Sequence, residues 1–120
     1  MSNLIFHHGK EHLVVDYKRK IVLLVEKIIM LEGLANYTVF HLDGGRKRLF
    51  SHTLMTYQND LAQHGFLRVH RSFIINPNYI HDFKMDDKEL LMENNLVANV
   101  SRRIGNQQNV KKMLSKFCSE

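Results

Sequence analysis

Short apolar runs rich in β-branched and aromatic residues, separated by polar turn residues, make up most of the chain and predict a mainly β protein. The predicted strands cover residues 13–15, 21–25, 28–31, 37–42, 46–50, 73–75, 79–84, 90–93 and 96–100. Tight turns are predicted at Asp43-Gly44-Gly45 and at Asn94-Asn95. Because such turns join neighbouring strands, the sheets are expected to be largely antiparallel.

One internal segment, residues 53–64, follows a helical period instead. Its apolar residues are spaced as i, i+3 and i+7, at Leu54, Tyr57 and Leu61. Thr53 or Ser51 can cap the start of this helix, and Gly65 can end it in the left-handed conformation.

A short C-terminal helix is also predicted. Ser101 is available as its N-cap, and its apolar stripe consists of Val110, Met113, Leu114 and Phe117.

Length and composition predict one domain over residues 1–120, since the chain has no repeat, no Gly/Ser-rich linker and a single proline. The apolar runs are too short to cross a bilayer, and the N-terminus lacks the features of a secretory signal. The single cysteine, Cys118, cannot form an internal disulfide, so a reducing, cytoplasmic setting is expected.

The charge is unevenly distributed around a net value of +5. Residues 44–81 hold only one acidic residue, Asp60, beside the basic residues Arg46, Lys47, Arg48, Arg68 and Arg71. Residues 101–118 hold no acidic residue beside the basic residues Arg102, Arg103, Lys111, Lys112 and Lys116. The segment between them, residues 82–93, is net acidic. This separation suits a polyanionic partner, although solvated faces of ordinary elements would give the same pattern.

Residues 66–76 contain the densest group of candidate contact residues. The apolar residues Phe66, Val69, Phe73 and Ile75 can attach the segment to a core. Between them lie four hydrogen-bonding side chains, Arg68, His70, Arg71 and Ser72. Arg71 beside Ser72 offers a forked cationic donor next to a hydroxyl group, which suits phosphates and base edges. His70 has an alternative structural interpretation, as a histidine bonded to nearby backbone.

The order of several segments is specific for one family. These segments are Ile28-Ile29-Met30-Leu31-Glu32, Ala35-Asn36-Tyr37-Thr38-Val39-Phe40, Asp43-Gly44, Thr53-Leu54, Leu61, Phe66-Leu67-Arg68-Val69-His70-Arg71-Ser72-Phe73-Ile74-Ile75-Asn76, Ile80 and Val100-Ser101-Arg102-Arg103. With them the sequence resembles the LytTR family of bacterial DNA-binding domains from about residue 10 to about residue 115. The run Phe-x-Arg-x-His-Arg-Ser-x-x-x-Asn is its most specific part.

The resemblance implies an elongated arrangement of largely antiparallel sheets without a helix-turn-helix. It implies sequence-specific binding of double-stranded DNA by a bacterial transcription regulator, with pairs of domains on imperfect direct repeats in promoters. Loops between strands would enter successive major grooves and the minor groove between them. Family members typically form the output half of two-component response regulators. The chain is therefore expected to be either a stand-alone regulator or a piece of a longer protein with a receiver or sensor domain.

Carried over residue by residue, the resemblance implies three DNA-binding elements. The first is the loop at residues 34–37, with Asn36 as a base contact and Tyr37 beside it. The second is His70, Arg71 and Ser72, where Arg71 would face the minor groove or its flanking phosphates. The third is Ser101, Arg102 and Arg103, where Arg103 would recognise guanine in a major groove.

Physical chemistry supports the third element independently of the resemblance. Two arginines in the first turn of a helix oppose the positive end of its dipole, at a cost of about 0.3–1 kcal/mol each. A serine cap, free backbone N–H groups and adjacent arginines are instead well arranged to bind phosphate.

Other functions fit the sequence less well. The eight histidines are scattered and the cysteine is terminal, so no metal site and no cofactor are expected. His70 and Ser72 lack the acid partner and glycine-rich turn of a nucleophile–base pair, so the protein is not expected to be an enzyme. The main alternative is a non-catalytic basic β module that binds RNA or an acidic protein. Its aromatic residues are spread singly, however, whereas an RNA-binding sheet clusters them.

Overall fold

Three antiparallel sheets form most of the protein, which is represented by a computed structural model that describes residues 2–118. The strands are β1 (Leu4–His7), β2 (Lys10–Asp16), β3 (Ile21–Leu24), β4 (Ile28–Leu34), β5 (Tyr37–Leu42), β6 (Lys47–Phe50), β7 (Leu67–His70), β8 (Phe73–Ile75), β9 (Ile80–Lys84), β10 (Glu89–Met92) and β11 (Val97–Asn99). The helices are α1 (Met55–Ala62), α2 (Arg102–Gly105) and α3 (Gln108–Ser115). Every strand pairing is antiparallel, so the predicted fold class is confirmed.

The largest sheet occupies the centre, with the strand order β6-β5-β4-β8-β7. A sheet of order β1-β2-β3 precedes it in the chain, and a sheet of order β11-β10-β9 follows it. The molecule measures 44 × 32 × 27 Å along its principal axes, which agrees with the elongated shape that was expected.

The central sheet is buried on both faces. Neighbouring residues of its strands point to opposite sides, and each side packs in a different hydrophobic cluster. Leu31 and Ile74 pack in one hydrophobic cluster, together with side chains from β2, β3 and α1. Met30 and Ile75 pack in a second cluster, together with side chains from β9, β10, β11 and α3. Strands β4 and β8 are therefore nearly continuous buried runs, whereas β10 of the third sheet alternates between buried and partly exposed residues.

The predicted hairpin turns are confirmed. Gly44 and Gly45 have φ values of +89° and +82° after β5, and Asn94 and Asn95 have φ values of +61° and +60° between β10 and β11. Both glycine and asparagine tolerate this left-handed region better than other residues do.

Strand β1 was not predicted, because its outward residues are apolar and its pattern does not alternate. Its four residues pair with β2, and Leu4 lies opposite Leu13. Ile5 and Phe6 are exposed, so β1 is held mainly by its backbone pairing and by Leu4, which packs against the first hydrophobic cluster.

Helix α1 has the predicted apolar stripe, but the predicted cap is wrong. Leu54, Tyr57 and Leu61 are buried, and Gly65 follows the helix with a φ of +83°, as expected. The N-cap position is Leu54, which is already helical, and no side chain bonds there. A turn with a bond from the Thr56 N–H to the Thr53 carbonyl leads into the helix, so no hydroxyl cap is used.

The single predicted C-terminal helix is also wrong, because the structure contains two short helices. Gly105 and Asn106 are poor helix formers, and the break at these residues separates α2 from α3. Gly105 is buried so close to Val100 that a Cβ atom there would lie 3.2 Å from Val100 Cγ1. The break allows Val110 and Leu114 to reach the second cluster while α2 stays at the end of the central sheet. No helix within residues 2–118 is long and apolar enough to span a membrane.

Asn76 connects the end of β8 to the start of β4 through hydrogen bonds. Its side-chain amide donates to the Ile28 carbonyl at 2.9 Å, and its backbone N–H donates to the Ile29 carbonyl at 3.0 Å. Its side-chain oxygen accepts the Asn78 N–H at 3.1 Å. The last residue of the sequence motif is thus a buried residue with a structural role.

Tyr57 joins α1 to the first sheet, since its hydroxyl donates to the Val15 carbonyl at 3.1 Å. Burial, followed by the nearby Asp16 carboxylate, raises the pKa of Tyr57 to about 12. The folded protein therefore favours the protonated, neutral form of the Tyr57 phenol.

We predict that Tyr57→Phe lowers the free energy of unfolding by about 1 kcal/mol at neutral pH, since one hydrogen bond is lost. In the wild-type protein, Tyr57 ionises more easily after unfolding, so its contribution to stability is complete below pH about 10. That contribution is lost as the pH rises through about 12. Urea unfolding at several alkaline pH values should therefore show a flatter pH dependence for Tyr57→Phe. Tyr17→Phe, at an exposed tyrosine, is the matched control. Parallel pH profiles for wild type and Tyr57→Phe would contradict this assignment.

Candidate nucleic-acid interface

The first candidate element is the tight turn between β4 and β5. Leu34 pairs with Tyr37, so Ala35 and Asn36 form the tip. Ala35 has a φ of +54°, a left-handed conformation that costs a non-glycine residue about 1–2 kcal/mol. Asn36 is exposed, and its side chain makes no hydrogen bond to another described residue. The turn therefore presents a free amide group between the half-exposed side chains of Leu34 and Tyr37.

The second element is the turn between β7 and β8. His70 pairs with Phe73 after a bulge, which leaves Arg71 and Ser72 at the tip. The Ser72 N–H donates to His70 Nδ1 at 3.0 Å, and the half-buried imidazole ring packs against Phe73. A backbone N–H can only donate, so Nδ1 accepts and the proton of the neutral ring lies on Nε2. This bond confirms the structural interpretation of His70, while a contact from Nε2 to DNA stays a prediction.

The two arginines of this segment have different surroundings. Arg71 is exposed, and its side chain forms no ion pair within the described part of the chain. Arg68 is half-buried and bonds to three protein acceptors. Its Nε donates to the His70 carbonyl at 3.3 Å, its Nη1 to Gln58 Oε1 at 2.7 Å and its Nη2 to the Arg71 carbonyl at 2.6 Å.

The third element is the start of α2. Ser101 Oγ accepts the Ile104 N–H at 3.2 Å, which confirms the predicted cap. The Ser101 N–H donates to the Val69 carbonyl at 2.8 Å, so β7 holds α2 beside the second element. Arg102 and Arg103 are exposed and have no ion pair among residues 2–118. Because α2 is only four residues long, its dipole is small and contributes little to anion binding, contrary to the expectation from the sequence.

Two adjacent open grooves lie between the three elements. Groove A, of about 330 Å³, lies between the first and second elements and is lined by Gly33, Ala35, Tyr37, Thr53, Leu54, Met55, Arg68, Arg71 and Ser72. Groove B, of about 670 Å³, lies between the second and third elements and is lined by Met55, Gln58, Leu67, Arg68, His70, Arg71, Ser101, Arg103, Ile104, Gln107 and Val110. The grooves share Met55, Arg68 and Arg71, so they meet at the second element. Asn36 and Arg102 lie outside both linings.

A backbone hydrogen bond of Gly33 joins the first element to the second. Its N–H donates to the Ser72 carbonyl at 2.8 Å. A Cβ atom at this position would lie 3.1 Å from Leu54 Cδ1 and 3.9 Å from Ser72 Cα. The absent side chain thus leaves room for Leu54, which packs directly against this end of β4.

Neither groove is lined by an acidic residue, since both linings lack Asp and Glu. The carboxyl groups with lowered pKa values lie elsewhere. Hydrogen bonds from Arg19 lower the pKa of Asp16, and a hydrogen bond from Lys10 lowers the pKa of Glu26. Within residues 2–118, no three His, Cys, Asp or Glu side chains are grouped so that they could hold a metal ion.

Met55, Gln58 and Gln107 are groove residues that were not singled out from the sequence. Met55 is recognisable in the sequence as a large apolar residue outside the apolar stripe of α1. In the structure its exposed fraction is 70%. The two glutamines are not recognisable in this way, since neutral polar residues are common on any helix surface. Only the packing of α1 and of the α2–α3 link beside β7 assigns them to groove B.

We predict that His70→Ala lowers the free energy of unfolding by about 1 kcal/mol, because the Ser72 N–H loses its acceptor. His70→Asn is the matched control, since its side-chain oxygen can occupy nearly the position of Nδ1. Urea unfolding should show a smaller loss for His70→Asn than for His70→Ala. Equal losses would mean that the ring contributes only packing.

Comparison with known proteins shows the fold and the family. The family model of the LytTr DNA-binding domain matches residues 18–115. A solved structure of the LytTr DNA-binding domain from a Bacillus cereus protein, described as a methyl-accepting/DNA response regulator, superposes with a TM-score of 0.69. It is 24% identical, and the match covers 88% of this chain and 98% of that one. No curated protein matches the chain. On the extent of the family match, the chain belongs to the LytTR family of DNA-binding domains.

Proposed function

We propose that this domain binds double-stranded DNA sequence-specifically, as the DNA-binding part of a bacterial transcription regulator. One observation carries the proposal: three elements with unpaired arginines or a free amide border two grooves that contain no acidic residue. Phosphate contacts supply most of the affinity of such complexes, and exposed arginines without internal partners are free to make them.

Base recognition is assigned to the first and third elements. Arg103 has a forked guanidinium group that suits the two acceptors of guanine in the major groove. Asn36 can donate to and accept from adenine in the same way. Tyr37, Ser101 and Arg102 flank these residues and would contact the backbone, because each lies on the same turn as one of them.

The second element lies between the other two, where groove A meets groove B. If the outer elements enter successive major grooves, Arg71 and Ser72 face the intervening minor groove or its phosphates. His70 then acts mainly by accepting the Ser72 N–H, and its Nε2–H is an additional donor toward DNA.

The wider context of the domain is also part of the proposal. The Bacillus cereus protein is described as a response regulator, which suggests control of this domain by a receiver or sensor domain. We propose that two copies bind imperfect direct repeats in promoters, and that residues 1–120 act as one unit without a cofactor. Direct repeats require a head-to-tail arrangement of the two copies, unlike the two-fold arrangement on palindromes.

An RNA-binding module is disfavoured by the distribution of exposed aromatic residues. Phe6 lies on β1 and Tyr17 in the turn between β2 and β3, and neither lines a groove. Tyr37 is the one exposed aromatic residue beside groove A among the described residues. Stacking of successive bases needs several such rings on one surface.

The experiment that tests the proposal is selection of bound sequences from a random duplex library, followed by binding assays on the selected site. The same assays with a single strand and with structured RNA at matched salt provide the comparison. We expect preference for the selected duplex. A preference for single strands or RNA, or for an acidic protein over all three, would overturn the proposal.

We predict that Arg103→Ala relaxes base preference at one position of the selected site. The expected loss is about 1–3 kcal/mol against the preferred base, or roughly 5- to 150-fold in affinity. Arg103→Lys keeps the charge but not the fork, so it should lose the same preference. Arg46→Ala removes an exposed arginine outside both grooves and is the matched control. An unchanged base preference in Arg103→Ala would refute the assignment.

We predict that Arg71→Ala weakens binding to all duplexes by a similar factor. The magnitude of the slope of log K against log salt should fall by about one, because one fewer cation is released from DNA. Titrations at four or more salt concentrations measure this slope. A fall in affinity with an unchanged slope would exclude a phosphate contact by Arg71.

A further inference from the structure

We propose that Arg68 is a positioning residue for the DNA interface, and that it holds the turn that presents Arg71 and Ser72 without touching DNA itself. This inference rests on the proposed function and deepens it. The sequence places two arginines three residues apart in one basic segment, and nothing in the sequence distinguishes them.

The contacts of the Arg68 guanidinium group give the two arginines different roles. Two of its nitrogens donate to consecutive carbonyl groups of the turn, those of His70 and Arg71, at 3.3 and 2.6 Å. The third donates to Gln58 Oε1 on α1 at 2.7 Å. All three nitrogens are thus engaged by protein acceptors, whereas the Arg71 side chain has no protein partner among the described residues.

We call this set of three bonds the Arg68 clamp. It fixes the orientation of the peptide groups on both sides of the Arg71 Cα, so it fixes the direction in which the Arg71 side chain leaves the backbone. The bond from Ser72 N–H to His70 Nδ1 closes the same turn from the other side. A turn that is already ordered loses less conformational freedom when DNA binds.

The clamp also connects the turn to α1, and thereby to the point where the two grooves meet. Gln58 lies one turn along α1 from Met55, and Met55 lines both grooves with Arg68 and Arg71. A planar guanidinium group can reach three acceptors in different directions, whereas a lysine ammonium on a flexible stem could not hold the same geometry. The position therefore requires arginine for shape and not for charge.

The test is a double-mutant cycle of Arg68→Met and Arg71→Ala on the selected duplex, measured across a salt series. Arg68→Met keeps the apolar stem and removes every donor. We expect Arg68→Met alone to weaken binding roughly tenfold, and to do so by at most about twofold in the Arg71→Ala background. The salt slope of the double variant should equal that of Arg71→Ala.

A second variant separates the clamp from the overall fold. Gln58→Leu removes one of the three bonds from a half-buried surface position, and we expect a smaller loss of affinity that also disappears in the Arg71→Ala background. Thr56→Leu, on the exposed side of α1, is the matched control. Urea unfolding of each variant provides the stability against which the loss of affinity is compared.

A readout without DNA tests the clamp directly. In NMR spectra of the free domain, the Arg68 Nε–H should exchange with water more slowly than that of exposed Arg46, and Gln58→Leu should shift the Ser72 amide resonance. Equally fast exchange at Arg68 and Arg46 would overturn the clamp whether or not DNA binds.

The outcomes distinguish this inference from the function on which it rests. Losses that add in the double variant, with a further fall in the salt slope, would mean that Arg68 contacts phosphate itself. Wild-type affinity in Arg68→Met would mean that the clamp does not matter for binding. Either result overturns the inference while duplex binding by the wild-type domain stands. Failure of the wild-type domain to bind any duplex would instead overturn the proposed function, and the role of the clamp with it.

Discussion

The burial of the central sheet on both faces is the constraint on which the rest of the structure depends. Adjacent residues such as Leu31 and Met30 enter different hydrophobic clusters, so each face needs its own cover. The β1–β3 sheet with α1 covers one face, and the β9–β11 sheet with α3 covers the other. Both faces of the central sheet are therefore covered. The turns at one end of β4, β5, β7 and β8 remain free to contact a ligand.

The candidate interface follows from this arrangement because its three elements are attached to the ends of central strands. Backbone bonds join them in series: Gly33 N–H to the Ser72 carbonyl, and Ser101 N–H to the Val69 carbonyl, each at 2.8 Å. Such bonds fix the spacing of the elements more firmly than side-chain contacts would. The LytTR family to which the chain belongs is a family of DNA-binding domains, and this row of turns is the surface that we propose for contact with the duplex.

The turns, the α1 stripe and the Ser101 cap depend on a few neighbouring residues, and they could be predicted from the sequence. The hairpin at Gly44, the turn at Asn94, the stripe of α1 and the Ser101 cap were all predicted and found, because backbone conformation and side-chain spacing are properties of a few neighbouring residues. The break between α2 and α3 was missed, although Gly105 and Asn106 are poor helix formers, because the apolar stripe beyond them resumes with a helical spacing. Strand β1 was missed because its stability comes from pairing with β2.

The sequence by itself determined the fold class, the family and the set of candidate side chains, since these are encoded in periodicity and in the order of motifs. Only the tertiary structure decided which of those side chains are free. Arg68 and Arg71 look alike in the sequence, but one is bonded to three protein acceptors and the other has no protein partner among the described residues. Asn76 ends the motif and proves to be buried, whereas Met55 lies outside the motif and lines both grooves. The physical reason is that hydrogen-bond partners distant in sequence decide whether a polar group remains available to a ligand.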